Sequence, residues 1–152
     1  MAAKSTSTQG GTDTGWTDDE RAAMKEHAAE LKRAGGKGAA KAAEEAQACL
    51  DKIAEMPEAD RVIAERIHAL VTSTVPELSV RTWYGMPAYS LDGKVLCWFK
   101  PAAKFKMRYS TMGFSDVAAL DDGNLWPTEY AITGLTEADE KSIAALVRKA
   151  AG

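Results

Sequence analysis

The run Trp83-Tyr84-Gly85-Met86-Pro87 constrains this chain more than any other segment. A readable strand, Val80 to Trp83, stops there, and a glycine and a proline set the backbone where it stops. Bulky rings at such a corner stand where a pocket can form. A hairpin signal follows at once: Ala88 to Leu91 and Lys94 to Lys100 flank Asp92-Gly93, a pair suited to the positive φ angles of a two-residue turn. In the second arm, Val95, Cys97 and Phe99 alternate with Leu96 and Trp98. Both faces are apolar, so this strand is expected to be central and covered on both sides. Phe105 to Tyr109 reads as another strand, with Phe105, Met107 and Tyr109 inward and Lys106 and Arg108 toward water. Glu129 to Thr133 reads as a short last one.

Helices surround this region. Thr17 with Glu20 is a capping box, predicting a helix to about Arg33 with a narrow apolar stripe of Met24, Ala28 and Leu31. Gly35-Gly36-Lys37-Gly38 breaks it. A second helix, Ala39 to Glu55, carries Ala46, Leu50 and Ile53 on one face and ends at Met56-Pro57. The third, Glu58 to about Thr74, has the widest stripe: Ala59, Val62, Ile63, Ile67, Leu70 and Val71. Thr136, with Asp139 three residues on, opens a last helix that buries Ile143, Leu146 and Val147. The reading is an α+β domain with an antiparallel, or in part mixed, sheet packed by helices. Residues 1–15, rich in Ser, Thr and Gly, are expected to be a disordered tail. Residues 16–55 form an N-terminal helical extension, and 56–152 form the α+β domain.

At 152 residues the chain is long enough to bury a core. It has no run of 18 apolar residues and no apolar signal-peptide core, which points to the cytoplasm and no membrane association. Cys49 and Cys97 are too few for a disulfide framework or a zinc site, and Cys97 in its apolar strand reads as a buried, inert thiol. The net charge of −3 is unevenly spread: residues 79–115 balance at +5 and the remainder at −8. Either a basic sheet attracts anions, or these charges merely wet the solvent side of strands.

No P-loop, nucleophile elbow, His-Glu-x-x-His or paired-cysteine motif occurs in the sequence. The two histidines, His27 and His68, read as surface residues, and no catalytic residue is assigned. Two constellations remain. Trp83, Tyr84, Tyr89, Trp98, Tyr109 and Trp126 form an aromatic constellation, of which Trp83, Tyr84, Tyr109 and Trp126, with Met86, Lys104, Lys106 and Arg108, combine apolar faces and cations and suit an anionic or nucleotide-like small ligand. Core packing explains some of these rings equally well, and the overall acidity argues against nucleic acid. Asp18-Asp19-Glu20 and Asp121-Asp122 are oxygen-rich clusters of the kind hard cations use, and equally of the kind found at solvated helix starts and turns.

From about Ile53 onward, the order of motifs resembles the YdhG-like domain-of-unknown-function family. The likeness lies in Trp83-Tyr84-Gly85-Met86-Pro87-Ala88-Tyr89, Asp92-Gly93-Lys94-Val95-Leu96, Lys104-Phe105-Lys106-Met107-Arg108-Tyr109, a closing Leu125-Trp126-Pro127 strand and the terminal helix. The resemblance implies a small cytoplasmic α+β protein without established catalytic activity. Some members are described as frataxin-like iron chaperones, which would make iron the cargo and iron–sulfur or haem assembly the destination. The cationic strand repels ferrous iron, so a metal would go to the acidic N-terminal helix or the 121–122 turn. The expectation is a non-catalytic metal or small-molecule binder. The alternatives are an anion-binding module at the aromatic corner and an enzyme of unassigned chemistry. The N-terminal helices could serve as a lid or a protein-binding arm.

Overall fold

The computed structural model describes residues 17–33 and 38–152. The tail expected at 1–15 and the Gly35-Gly36-Lys37 break lie outside the described residues. The elements run α1 (Asp18–Arg33), α2 (Ala39–Glu55), α3 (Glu58–Thr74), β1 (Ser79–Trp83), β2 (Met86–Leu91), β3 (Lys94–Lys100), β4 (Ser110–Phe114), β5 (Glu129–Ile132) and α4 (Glu137–Ala151). The five strands form a meander in sequence order, every neighbouring pair antiparallel, so the class is α+β and β3 is central.

The strand periodicity divides the sheet into two surfaces. Tyr89, Cys97, Phe99, Met112 and Phe114 belong to the core, together with Cys49 and Ile53 of α2, Ile67 and Val71 of α3, and Val147 of α4. Tyr89, Phe99, Ile67 and Met112 are fully buried, and each large apolar side chain so placed stabilises the fold by about 1.5–3 kcal/mol. The core therefore does not divide at residues 55 and 56: α2 is part of it through Cys49, one residue along from the expected Leu50, which is exposed. Ala59 and Val62 of α3 are also exposed, and Asp60, Ala64, Ile67 and Val71 make its buried side.

Both hairpin turns that flank β2 use positive φ. Asp92 and Gly93 (φ 51° and 81°) join Leu91 to Lys94 as their composition predicts, and Tyr84 and Gly85 (φ 53° and 73°) join Trp83 to Met86 in the same way. The aromatic corner is thus itself a two-residue hairpin turn. Pro87 falls just beyond the β2–β3 ladder, which begins at Ala88 paired with Trp98, so its missing N–H breaks no bond there. The capping boxes at Thr17–Glu20 and Thr136–Asp139 both form.

The expected strand at 105–109 is not one. Residues 101–109 form a turn-rich connection, and the fourth strand starts at Ser110. The cause is Asp60, a buried carboxylate on α3. Its Oδ2 accepts the Ala103 N–H at 3.0 Å and its Oδ1 accepts the Ser110 hydroxyl at 3.0 Å, while Ser110 Oγ accepts the Ala102 N–H at 3.1 Å. These bonds curl the chain, and Met107 N–H then donates to Ala102 O at 2.9 Å with Lys106 at φ 52°. Of the three residues expected inward, Phe105 and Tyr109 are half-buried and Met107 is exposed. Leu125-Trp126-Pro127 is likewise irregular chain ahead of β5.

Asp60→Ala should therefore lower stability by about 1–3 kcal/mol, the cost of leaving buried donors unpaired. Urea unfolding reads the loss, and amide exchange should quicken at Ala102, Ala103 and Met107 before it does elsewhere.

Candidate functional site

The second surface of the sheet is where side chains with binding chemistry meet. Arg81, Trp83, Met86, Ala88, Trp98, Lys100, Thr111, Gly113 and Glu129 share it by register. Helix α1 lies across part of it. Between α1, the sheet and the 101–109 connection runs a groove of about 410 Å³, lined chiefly by Met24, Trp83, Tyr84, Met86, Trp98, Phe105 and Met107. Ala23 and Thr111 close its interior, and Glu20, Lys100 and Glu129 supply its charges.

Its floor is ordered by ring contacts. Trp83 packs on Trp98 at 5.2 Å between centroids and meets the edge of Tyr84 at 5.0 Å. Trp98 lies over Gly113, where a Cβ would collide with the indole, so only glycine lets the ring lie flat. Lys100 Nζ sits 4.8 Å from the Phe105 centroid, a cation–π contact on the groove's flank.

Helix α1 is held against the hairpin by charge. Glu30, 4% exposed, accepts the Tyr84 N–H through Oε2 and the Gly85 N–H through Oε1, both at 2.9 Å. His27 Nδ1 lies 3.4 Å from Glu30 Oε2, and its ring stacks on Tyr84 at 4.0 Å and 11°. Lys104 Nζ donates to Glu26 at 2.7 Å, Lys52 Nζ is 3.8 Å from the same oxygen, and Lys106 pairs with Asp19 at 3.2 Å. The expected apolar stripe does not do this work: Met24 is 44% and Leu31 59% exposed, and Ala28 is exposed too.

The predicted ligand residues thus separate. Trp83, Tyr84 and Met86 line the groove. Lys104 and Lys106 pair with carboxylates of α1 and do not line this groove. Arg108 is exposed and stacks on Tyr109 at 5.1 Å, and neither lines the groove. Trp126 stands in a separate depression beside Asp121. Trp98, weighed in the sequence as a ligand ring or a core residue, completes the groove floor, while Phe105, Met107 and Met24 complete its walls and were not foreseen as binding residues. The one available signal was the apolar second face of β3.

The acidic residues are dispersed as well. Asp18 faces water beside Arg21, Asp19 pairs with Lys106, and Glu20 accepts the Thr17 N–H at 3.2 Å. Asp121 and Asp122 are exposed in their turn. Among the described residues, no three His, Cys, Asp or Glu side chains come together as a metal site.

Neither histidine is a free surface residue. His68 is half-buried with Nδ1 3.0 Å from the hydroxyl of Tyr89, and burial lowers its pKa below the ordinary 6.5. Burial raises the Tyr89 hydroxyl well above 10, and Cys49 and Cys97 nearby raise it further. Both thiols are fully buried, and desolvation pushes each up to about 12, which leaves them as inert core groups. No helix of the described residues is long and apolar enough to cross a membrane. No protein-family model, curated protein or solved structure matched the chain. Of the expected architecture, the α+β class with an antiparallel sheet is what the fold bears out.

Two measurements follow from this geometry. Gly113→Ala must lift Trp98 off the sheet, with an expected loss of about 1–3 kcal/mol in chemical unfolding and a changed near-ultraviolet dichroism. For His68, the unfolded chain takes up its proton first as the pH falls, because the native imidazole has the lower pKa. Its contribution is therefore complete above the unfolded value and declines as the pH drops through it. His68→Gln should flatten that part of the stability–pH curve.

Proposed function

We propose that this protein is a binding module that takes a planar, largely apolar small molecule, neutral or positively charged, into the groove between α1 and the outer sheet face. The observation that carries this reading is the Trp83–Trp98 floor, fixed over Gly113 and walled by methionines. Rings of this kind bury large areas and stack on flat ligands, while Met24, Met86 and Met107 adapt to different outlines. The volume falls within the range usual for small-ligand sites. Two carboxylates, Glu20 and Glu129, stand in the lining against one ammonium, Lys100, which disfavours an anion in this groove.

The test uses a matched pair of fluorescent dyes, neutral N-phenyl-1-naphthylamine and its sulfonated relative 1-anilinonaphthalene-8-sulfonate. The neutral dye should bind saturably to the folded protein, and the sulfonate more weakly by about tenfold, the equivalent of ~1.4 kcal/mol. Met24→Asp and Met107→Asp change exposed lining residues and should each weaken the neutral dye without altering the unfolding curve. Saturable binding that ignores both substitutions, or none at all, would overturn the reading.

A further inference from the structure

On the other flank of α1, away from the apolar groove, the Tyr84–Gly85 turn presents a different chemistry. Two consecutive backbone N–H groups point the same way from residues at positive φ, the arrangement that forms anion-binding concavities in proteins. Two ammonium groups from separate elements, Lys52 of α2 and Lys104 of the 101–109 connection, converge beside them. Gly85 is the meeting point: a Cβ there would collide with both Glu26 Oε2 and Lys104 Nζ. A cavity of about 380 Å³ opens at this place, lined by Lys52, Glu55, Met56, Gly85, Pro101 and Lys104 and by Asp19 and Glu26 of α1; Glu55 also holds Lys52 at 3.5 Å, which leaves Lys104 and the two N–H groups as the main anion contacts.

We propose that this concavity is an anion-binding site of the protein body, and that α1 fills it in cis, with Glu26 and Glu30 standing in for a doubly negative small molecule such as a phosphomonoester or a dicarboxylate.

The manner of docking supports this. The polar contacts of α1 with the body are made by Asp19, Glu26, His27 and Glu30, and the three carboxylates each meet an ammonium group or backbone N–H groups. Its larger apolar residues, Met24 and Leu31, stay substantially exposed, and Ala23 is its one buried apolar residue. Among the described residues, none of α1 belongs to the main core cluster. Such a helix presents its carboxylates to the body as a tethered anion, and a carboxylate accepting two N–H groups reproduces the bonding a phosphate would make. The tether gives α1 a high effective concentration. A free anion must displace it, and binding is weakened by the fraction of molecules in which the site is open. The apolar groove uses other side chains but needs α1 in place for its Ala23 and Met24 wall, so an anion that displaces α1 also opens that groove.

The experiment follows the amide resonances of Tyr84 and Gly85 while inorganic phosphate or succinate is added at ionic strength held constant with sodium chloride. In E26A/E30A, both amides should shift saturably with one of the two anions. The same anion should act about tenfold more weakly on the wild-type chain, whose site α1 occupies. Lys104→Ala added to the double variant should remove the response. Saturation by phosphate assigns a phosphomonoester-like ligand, and saturation by succinate a dicarboxylate. Amides indifferent to both anions in folded E26A/E30A would overturn the proposal, as would equal affinity in the variant and the wild type. Should the double variant not fold, E30A, which frees the two N–H groups and keeps the Glu26 pairs, decides by the same criteria.

Discussion

A carboxylate removed from water and given two backbone N–H groups is the interaction on which the outer half of this structure depends. Glu30 is almost wholly buried, and a buried carboxylate left unpaired would be far more costly than an exposed one. Its partners exist because Tyr84 and Gly85 adopt positive φ, and that geometry exists because β1 and β2 need a tight, right-twisting turn. With Glu30 in place, α1 can lie only one way over the sheet. Tyr84 then stacks on His27, and Trp83 is left facing Trp98 across the groove floor. Asp60 does the equivalent on the opposite side, where it shapes the connection that carries Phe105 and Met107.

Those two carboxylates also explain which parts of the fold could be read from residue order. Features set by neighbours in sequence were legible: the Asp92-Gly93 turn, the capping boxes, and the apolar double face that made β3 central. Features set by a distant polar contact were not. Phe105 to Tyr109 alternates as a strand should, yet Asp60, more than 40 residues earlier, holds the Ala103 N–H and the Ser110 hydroxyl, and the chain so curled gives the Lys106 and Met107 N–H groups to the Ala103 and Ala102 carbonyls. Met24, Ala28 and Leu31 have the spacing of a buried stripe, yet α1 docks on an adjacent face through Asp19, Glu26 and Glu30. Hydrophobic periodicity carries no information about a helix held by charge.

The site shows the same division. Trp83, Tyr84 and Met86 were recognised because they lie within four residues of one another at a turn. Trp98 belongs to the same floor only because β2 and β3 set it opposite Ala88, and Gly113 matters only because β4 sets it opposite Trp98. Lys104 and Lys106 read in the sequence as lining for an anionic ligand. The carboxylates they meet belong to the chain itself, Glu26 and Asp19, some 80 residues earlier.

The central strand has one further consequence. Cys97 and Phe99 belong to the core while Trp98, between them, belongs to the groove, so a single residue step separates the interior from the binding surface. The irregularity between Tyr89 and Ser90 already absorbs one residue of mismatch on the Leu96 side, just upstream. A deletion or insertion between Cys97 and Phe99 would exchange the two surfaces, placing an indole among the packed helices and a core side chain in the groove. Length change is thus barred in β3 even where composition could vary. Over evolutionary time the groove can be retuned through its methionines and the 101–109 connection, while its aromatic floor must be inherited together with the core on its reverse side.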